Sequence, residues 1–131
     1  QDLIIGSDQA AICDSNILGK PGNHQNAKKQ LIAMSGKTVS FYTGLCLLNA
    51  KTNTPDTDIS TYHVSFRTLS EEEIDAYLLK EKPYQCAGSF QSEKLGISLL
   101  KKMEGDDPTA LIGLPLIRLA EMLRKQGINA P

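Results

Sequence analysis

The sequence predicts an α/β protein, and three observations lead there. The apolar run Leu3-Ile4-Ile5 reads as a short buried strand, because it has neither polar alternation nor a helical period. Helix start signals at Asn23 and Ser70 stand between runs rich in β-branched and aromatic residues. The composition, 40% hydrophobic and 22% charged over 131 residues, is that of an ordinary globular chain, large enough for a real core and no larger than one domain.

In order, the opening strand breaks at Gly6 into the polar run Ser7-Asp8-Gln9. A carboxylate at the C-terminal end of a strand cannot enter the core unpaired, and in open α/β sheets that end borders the ligand crevice. On pattern alone, Asp8 serves first as a turn cap or as the partner of a nearby lysine, and only then as a functional acid. Ala10–Cys13 reads as a second short strand, Asp14-Ser15-Asn16 as a turn, and Ile17-Leu18 as the return. This hairpin-like excursion leads into Gly19-Lys20-Pro21-Gly22 and would carry Lys20 back near Asp8. A glycine beside a lysine suits close approach to phosphate, although the full GxxxxGK[ST] pattern is absent.

Asn23 caps a predicted helix running to about Ser35, with Ala27, Leu31 and Met34 on one face and Gly36 at its end. Lys28 and Lys29 fall on its solvated side. Thr38–Asn49 reads as a strand punctuated by Tyr42-Thr43-Gly44, where the glycine suggests a bulge or the approach of a ligand. Lys51–Pro55 is a turn and Asp58–Arg67 a second long strand, in which His63 is a strand side chain with no second histidine beside it. Ser70-Glu71-Glu72-Glu73 is a capping box whose acids also suit the helix dipole, opening a helix with Ile74, Tyr77 and Leu78 inward. That helix ends before Pro83. Gln85–Glu93 is a polar loop, Leu95–Met103 a further strand, and Glu104–Pro108 an acidic turn that seats a helix start. The last helix spans about Pro115–Gln126, with Leu116, Leu119, Ala120 and Leu123 inward and Gly127 as its stop.

Several function classes are disfavoured. A net charge of −1 and scattered lysines give no field for nucleic acid, and the few aromatics form no stacking platform. Cys13, Cys46 and Cys86 are odd in number, widely spaced and without a CxxC pair, which argues against zinc and against a secreted disulfide framework. Reduced, mostly buried thiols in a cytoplasmic protein are the expectation. The apolar runs are too short to cross a bilayer, and no signal-peptide pattern is seen.

Four stretches then stand together: Gly6-Ser7-Asp8-Gln9, Leu18-Gly19-Lys20-Pro21, Tyr42-Thr43-Gly44 and Gly113-Leu114-Pro115-Leu116. In this order and spacing the chain resembles, end to end, the Maf family of nucleoside triphosphate pyrophosphatases. The run from Cys86 to Glu93 is similar to the branch that hydrolyses 7-methyl-GTP. The resemblance implies a Maf/ITPase-like mixed sheet flanked by helices, with two lobes and a nucleotide cleft. It also implies cleavage between the α- and β-phosphates with a divalent cation, Mg²⁺ or Mn²⁺. Asp8 falls on the catalytic, metal-sharing acid, Lys20 on a phosphate-contacting lysine, and Gln9 and Glu93 on positions linked to base choice. Thr43, Glu104 and Asp106 keep structural roles as bulge and turn residues. Family members open with a strand, a Ser- and Arg-containing phosphate loop, a helix and an acidic motif that this sequence lacks. Residues 1–131 are therefore expected to be one Maf-like domain without its N-terminal strand, phosphate loop and helix.

The chemistry agrees with this reading. Phosphoryl transfer needs positioning and charge neutralisation more than covalent help, and Mg²⁺ usually takes only one or two protein carboxylates alongside substrate phosphates. The expected partner is a nucleoside triphosphate, with a homodimer as a further possibility and neither nucleic acid nor membrane. Two alternatives stand beside it: the same reaction on a pyrimidine triphosphate, and a non-catalytic nucleotide-binding module that regulates cell division.

Overall fold

The computed structural model describes residues 3–86, 88 and 95–128. It is α/β, as expected. Five strands, β1 (Leu3–Cys13), β2 (Asn16–Leu18), β3 (Thr38–Asn49), β4 (Thr54–Phe66) and β5 (Leu100–Gly105), form one sheet in the order β2-β1-β3-β4-β5. Among the described residues the helices are α1 (His24–Met34), α2 (Glu71–Glu81), α3 (Thr109–Ile112) and α4 (Leu116–Lys125). The chain divides into two compact units, one of Gln1–Gln9, Tyr42–Tyr62 and Gly105–Pro131, the other of Ala10–Phe41 and His63–Glu104.

The second unit is built from signals that lie close together in sequence. β1 and β2 form the expected hairpin, with Ala11 opposite Leu18 and Cys13 opposite Asn16, around left-handed Asp14 and Ser15. The Asn23 side chain caps α1 by accepting from the Asn26 N–H, and the buried face is Ala27, Leu31 and Met34. Gly36 follows with a φ of 72°, a value glycine adopts without Cβ strain. The Ser70 capping box is complete in both directions, and α2 buries Ile74, Tyr77 and Leu78. Lys28 departs from its expected solvated role. It reaches Asp75 and Glu71 of α2 at 3.0 and 3.4 Å, because the two helices lie side by side and bring opposite charges together. His63 accepts or donates at Ser40 Oγ, 2.8 Å away, as a strand side chain.

Two other expectations change. Leu95–Leu99 is a 3₁₀ turn, and β5 begins only at Leu100. Gly96 and Ser98 are weak strand formers, and Arg67 takes the Ser98 carbonyl with its Nε and the Leu99 carbonyl with its main-chain N–H. Of the cysteines expected to be mostly buried, Cys13 is buried, while Cys46 and Cys86 are only half-buried. Burial, then the neighbouring Asp14, pushes the Cys13 thiol up, which Lys37 partly offsets.

The first unit is held by residues far apart in sequence. Its apolar centre is Leu45 and Leu47 of β3 with Leu119 and Met122 of α4, and Leu3, Leu114 and Leu123 pack against it partly buried. Gly105 lies directly against the Tyr62 ring, where a Cβ would collide with the ring carbons. The last helix keeps Leu119 and the partly buried Leu123 inward as expected, adds Met122 and leaves Leu116 out. Pro115, Leu119 and Met122 are buried, while Leu116 is 49% exposed, and the Ile117 N–H is held on the Asp107 carboxylate.

The opening strand needs the largest correction. It runs unbroken through Gly6 for eleven residues, and Ile4 and Ile5 are 55% and 47% exposed. Gly6 has no left-handed backbone that would end a strand. β2 pairs only with residues 11–13, so Leu3–Ala10 has β3 on one side and no described strand on the other. An edge strand buries only part of its apolar surface.

Candidate active site

Asp8 therefore sits in mid-strand rather than at a strand end. Side chains alternate along β1, which places Ser7 and Gln9 on one face and Asp8 on the other. The Ser7 hydroxyl donates to the Gly113 carbonyl at 2.5 Å. The Gln9 amide nitrogen donates towards the Ala110 carbonyl (2.9 Å), the Leu111 carbonyl (3.1 Å) and Thr43 Oγ1 (3.2 Å). Carbonyls only accept, so these partners fix which end of the amide faces α3. Thr43, fully buried on β3, donates to the same Ala110 carbonyl at 2.9 Å.

The α3 segment is itself anchored by Asp107, one of two buried polar residues among those described. Its Oδ1 accepts from the Thr109 N–H and the Thr109 hydroxyl, and its Oδ2 from the Ile117 N–H at 2.9 Å. A buried carboxylate with three donors is well satisfied and has a structural task. This pins the polar run of β1 from its α3 side and leaves the Asp8 side uncovered.

Asp8 is exposed, and its Oδ1 accepts from the Gln9 N–H at 2.9 Å. It borders a concavity of about 650 Å³ together with Gly6, Ser7, Gly44, Leu45, Cys46, Thr57, Asp58 and Ile59, a size suited to a small-molecule site. β3 continues through Gly44. A Cβ there would find the Asp8 carbonyl at an ordinary 3.8 Å, so packing alone does not require the glycine. Asp58, the second acid at this concavity, is engaged with Arg118, whose Nε lies 2.6 Å from Oδ2. The Ile59 N–H, then Arg118, holds the Asp58 carboxyl below its ordinary range. Asp58 thus stays anionic but already paired, which makes Asp8 the acid open to a ligand.

Lys20 belongs to the other unit. It is exposed and makes no hydrogen bond or ion pair among the described residues. The structure thus brings Gln9 together with Thr43, places Asp8 at the concavity and describes Lys20 in its own surroundings, while Glu93 lies outside the described residues. Among the described residues no three His, Cys, Asp or Glu side chains group as a metal site. A single open carboxylate still fits Mg²⁺, which is held largely by phosphate oxygens and water.

Sequence reasoning missed Asp58 at the concavity and its partner Arg118, since the two stand sixty residues apart and neither carries a local signal. It also missed the use of the α3 carbonyls as anchors for Gln9 and of the Gly113 carbonyl for Ser7.

Comparison with known proteins adds an independent line. The family model described as "Maf-like protein" matches residues 1–126. The chain is 56% identical over 125 residues to the 7-methyl-GTP pyrophosphatase of Nitrosococcus oceani, covering 95% of this chain and 63% of that protein. It is 54% identical over 127 residues to the proteins of the same name from Idiomarina loihiensis and Methylobacillus flagellatus, covering 97% of this chain and 64% and 66% of theirs. The chain therefore spans just under two thirds of the length of these relatives. Among the described residues no helix is long and apolar enough to cross a membrane.

Proposed function

The chain belongs to the Maf family, and we propose that the protein carrying it hydrolyses 7-methyl-GTP to 7-methyl-GMP and pyrophosphate. The observation that carries this reading is the shared name of relatives at 54–56% identity over 95–97% of this chain. The geometry supports it through Asp8, an unpaired acid beside a concavity, on a strand braced from behind.

In this reading the Asp8 carboxylate orients a water and takes its proton as the oxygen attacks phosphorus. The P–O bond to the β-phosphate breaks, and pyrophosphate leaves. Lys20 offsets the charge of the leaving group, a task that needs a point charge and no proton transfer. A divalent cation, Mg²⁺ or Mn²⁺, held by Asp8 and the substrate phosphates, would supply further charge neutralisation. Gln9 can address a ligand only through Oε1, because its amide nitrogen is bound to α3 and Thr43.

Glu93 is the proposed reader of the base. Guanine offers two adjacent donors, N1–H and the 2-amino group, which a carboxylate can accept together. Methylation at N7 makes the ring cationic and polarises N1–H, favouring a carboxylate further. Glu93→Gln should lower kcat/KM for 7-methyl-GTP far more than for a pyrimidine triphosphate. An equal loss on both substrates would remove Glu93 from base recognition.

The function itself is tested by incubating the protein with 7-methyl-GTP, GTP and pyrimidine triphosphates, while following pyrophosphate and the nucleotide product. Preferential formation of 7-methyl-GMP and pyrophosphate supports the reading. Release of orthophosphate, or preference for a pyrimidine triphosphate, refutes the bond or the substrate respectively. Binding without cleavage would make the protein a nucleotide-binding module.

A further inference from the structure

We propose that Asn26 and Gln30 of α1 are positioning residues for Lys20, fixing its backbone so that the ammonium meets the phosphates of the substrate. This rests on the reading of Lys20 as a phosphate-contacting lysine. The segment Gly19-Lys20-Pro21-Gly22 has no regular structure of its own, yet its backbone is held on both sides of Lys20. The carbonyl before it, of Gly19, accepts from Gln30 Nε2 at 2.8 Å and from the Gly88 N–H at 3.4 Å. The carbonyl after it, of Pro21, accepts from Asn26 Nδ2 at 3.2 Å. The Gly22 N–H then donates to the Tyr84 carbonyl at 2.8 Å.

Asn26 and Gln30 stand four residues apart and so share one face of α1. That helix is fixed in turn by its Asn23 cap, by burial of Ala27, Leu31 and Met34, and by the Lys28–Asp75 bridge to α2. Both clamping groups are neutral carboxamides, whose donors suit carbonyls and add no charge beside the lysine. A lysine side chain is flexible, so what a protein can preorganise is the backbone from which it springs. Misplacement of a contacting group by about 1 Å can cost on the order of a hundredfold in rate.

The test combines turnover with a binding measurement. Gln30→Glu keeps the shape of the side chain and sets an acceptor against the Gly19 carbonyl. It should lower kcat/KM for 7-methyl-GTP by about tenfold or more and weaken binding of inorganic pyrophosphate, with the folded fraction at assay temperature unchanged. Asn26→Asp should act in the same direction. In a Lys20→Ala background, Gln30→Glu should cost little more, since its effect passes through the lysine.

A full additional loss in the Lys20→Ala background would overturn the proposal, showing that Gln30 acts elsewhere. Loss of activity only in step with loss of folded protein would overturn it as well, as would unchanged kcat/KM and pyrophosphate binding in Gln30→Glu. If the unsubstituted protein does not turn over the triphosphate, the reading of function fails first. If it does so and Lys20→Ala is silent, the role of Lys20 fails, and the positioning role with it.

Discussion

The two units of this chain are held together by different kinds of interaction. In the unit of Ala10–Phe41 and His63–Glu104, the defining contacts are local or between neighbouring helices: the Asn23 cap, the Ser70 capping box, and solvent-facing bridges from Lys28 to α2. In the other unit, the defining contacts are polar bonds across more than sixty residues, from part-buried Gln9 and buried Thr43 to the Ala110 carbonyl. The proposed catalytic acid lies in the second kind of environment. The difference teaches that the braced strand beneath Asp8 depends on α3, whereas the helices behind Lys20 depend mainly on their own sequence.

Asp8→Asn should reduce turnover by about a hundredfold or more, the usual range for loss of a general base, with thermal unfolding almost unchanged. The side chain is exposed and its hydrogen bond is to the adjacent Gln9 N–H, so the fold has little to lose. Near-normal activity would return Asp8 to a surface role.

Asp107→Ala should cost the fold the most, about 3 kcal/mol, because it strips acceptors from the Thr109 N–H, the Thr109 hydroxyl and the Ile117 N–H at a buried site. Denaturant unfolding measures this, and activity should fall with it, since α3 braces Gln9. A stable, fully active Asp107→Ala protein would show that the long-range bonds do not hold the first unit.

Ser70→Ala removes one acceptor from a solvent-facing helix start and should cost about 1 kcal/mol. A loss as large as that of Asp107→Ala would erase the contrast between the units.

The smallest effect is the acid response. The Lys28 and His24 hydrogen bonds hold the Asp75 carboxyl below its ordinary range, and Arg67, then the Ser70 N–H, does the same for Glu73. A folded-state pKa below the unfolded one gives stability that is fully present above about pH 4 and lost as pH falls through the lower folded value. Denaturation midpoints should therefore decline below about pH 4, and Lys28→Met should make that decline shallower. An unchanged slope in the variant would show that the bridge is not thermodynamically coupled to folding.

The sequence by itself determined the elements whose signals are local. The inward faces of α1 and α2 follow from 3.6-residue periodicity, their starts from side chains three residues from the N–H they cap, and β3 from its β-branched and aromatic run. It also carried the motifs that place the chain in its family. Only the tertiary structure decided that Ile4 and Ile5 are exposed, that Asp8 stands in mid-strand, that Leu119 and Met122 rather than Leu116 and Ala120 lead the inward face of α4, and that Asp58 is paired with Arg118. Each of these depends on which distant segment lies alongside. Periodicity tells how a residue faces relative to its neighbours in the chain. Whether that face meets a partner or water is set by strand order and by long-range hydrogen bonds, which leave no mark at the positions they fix.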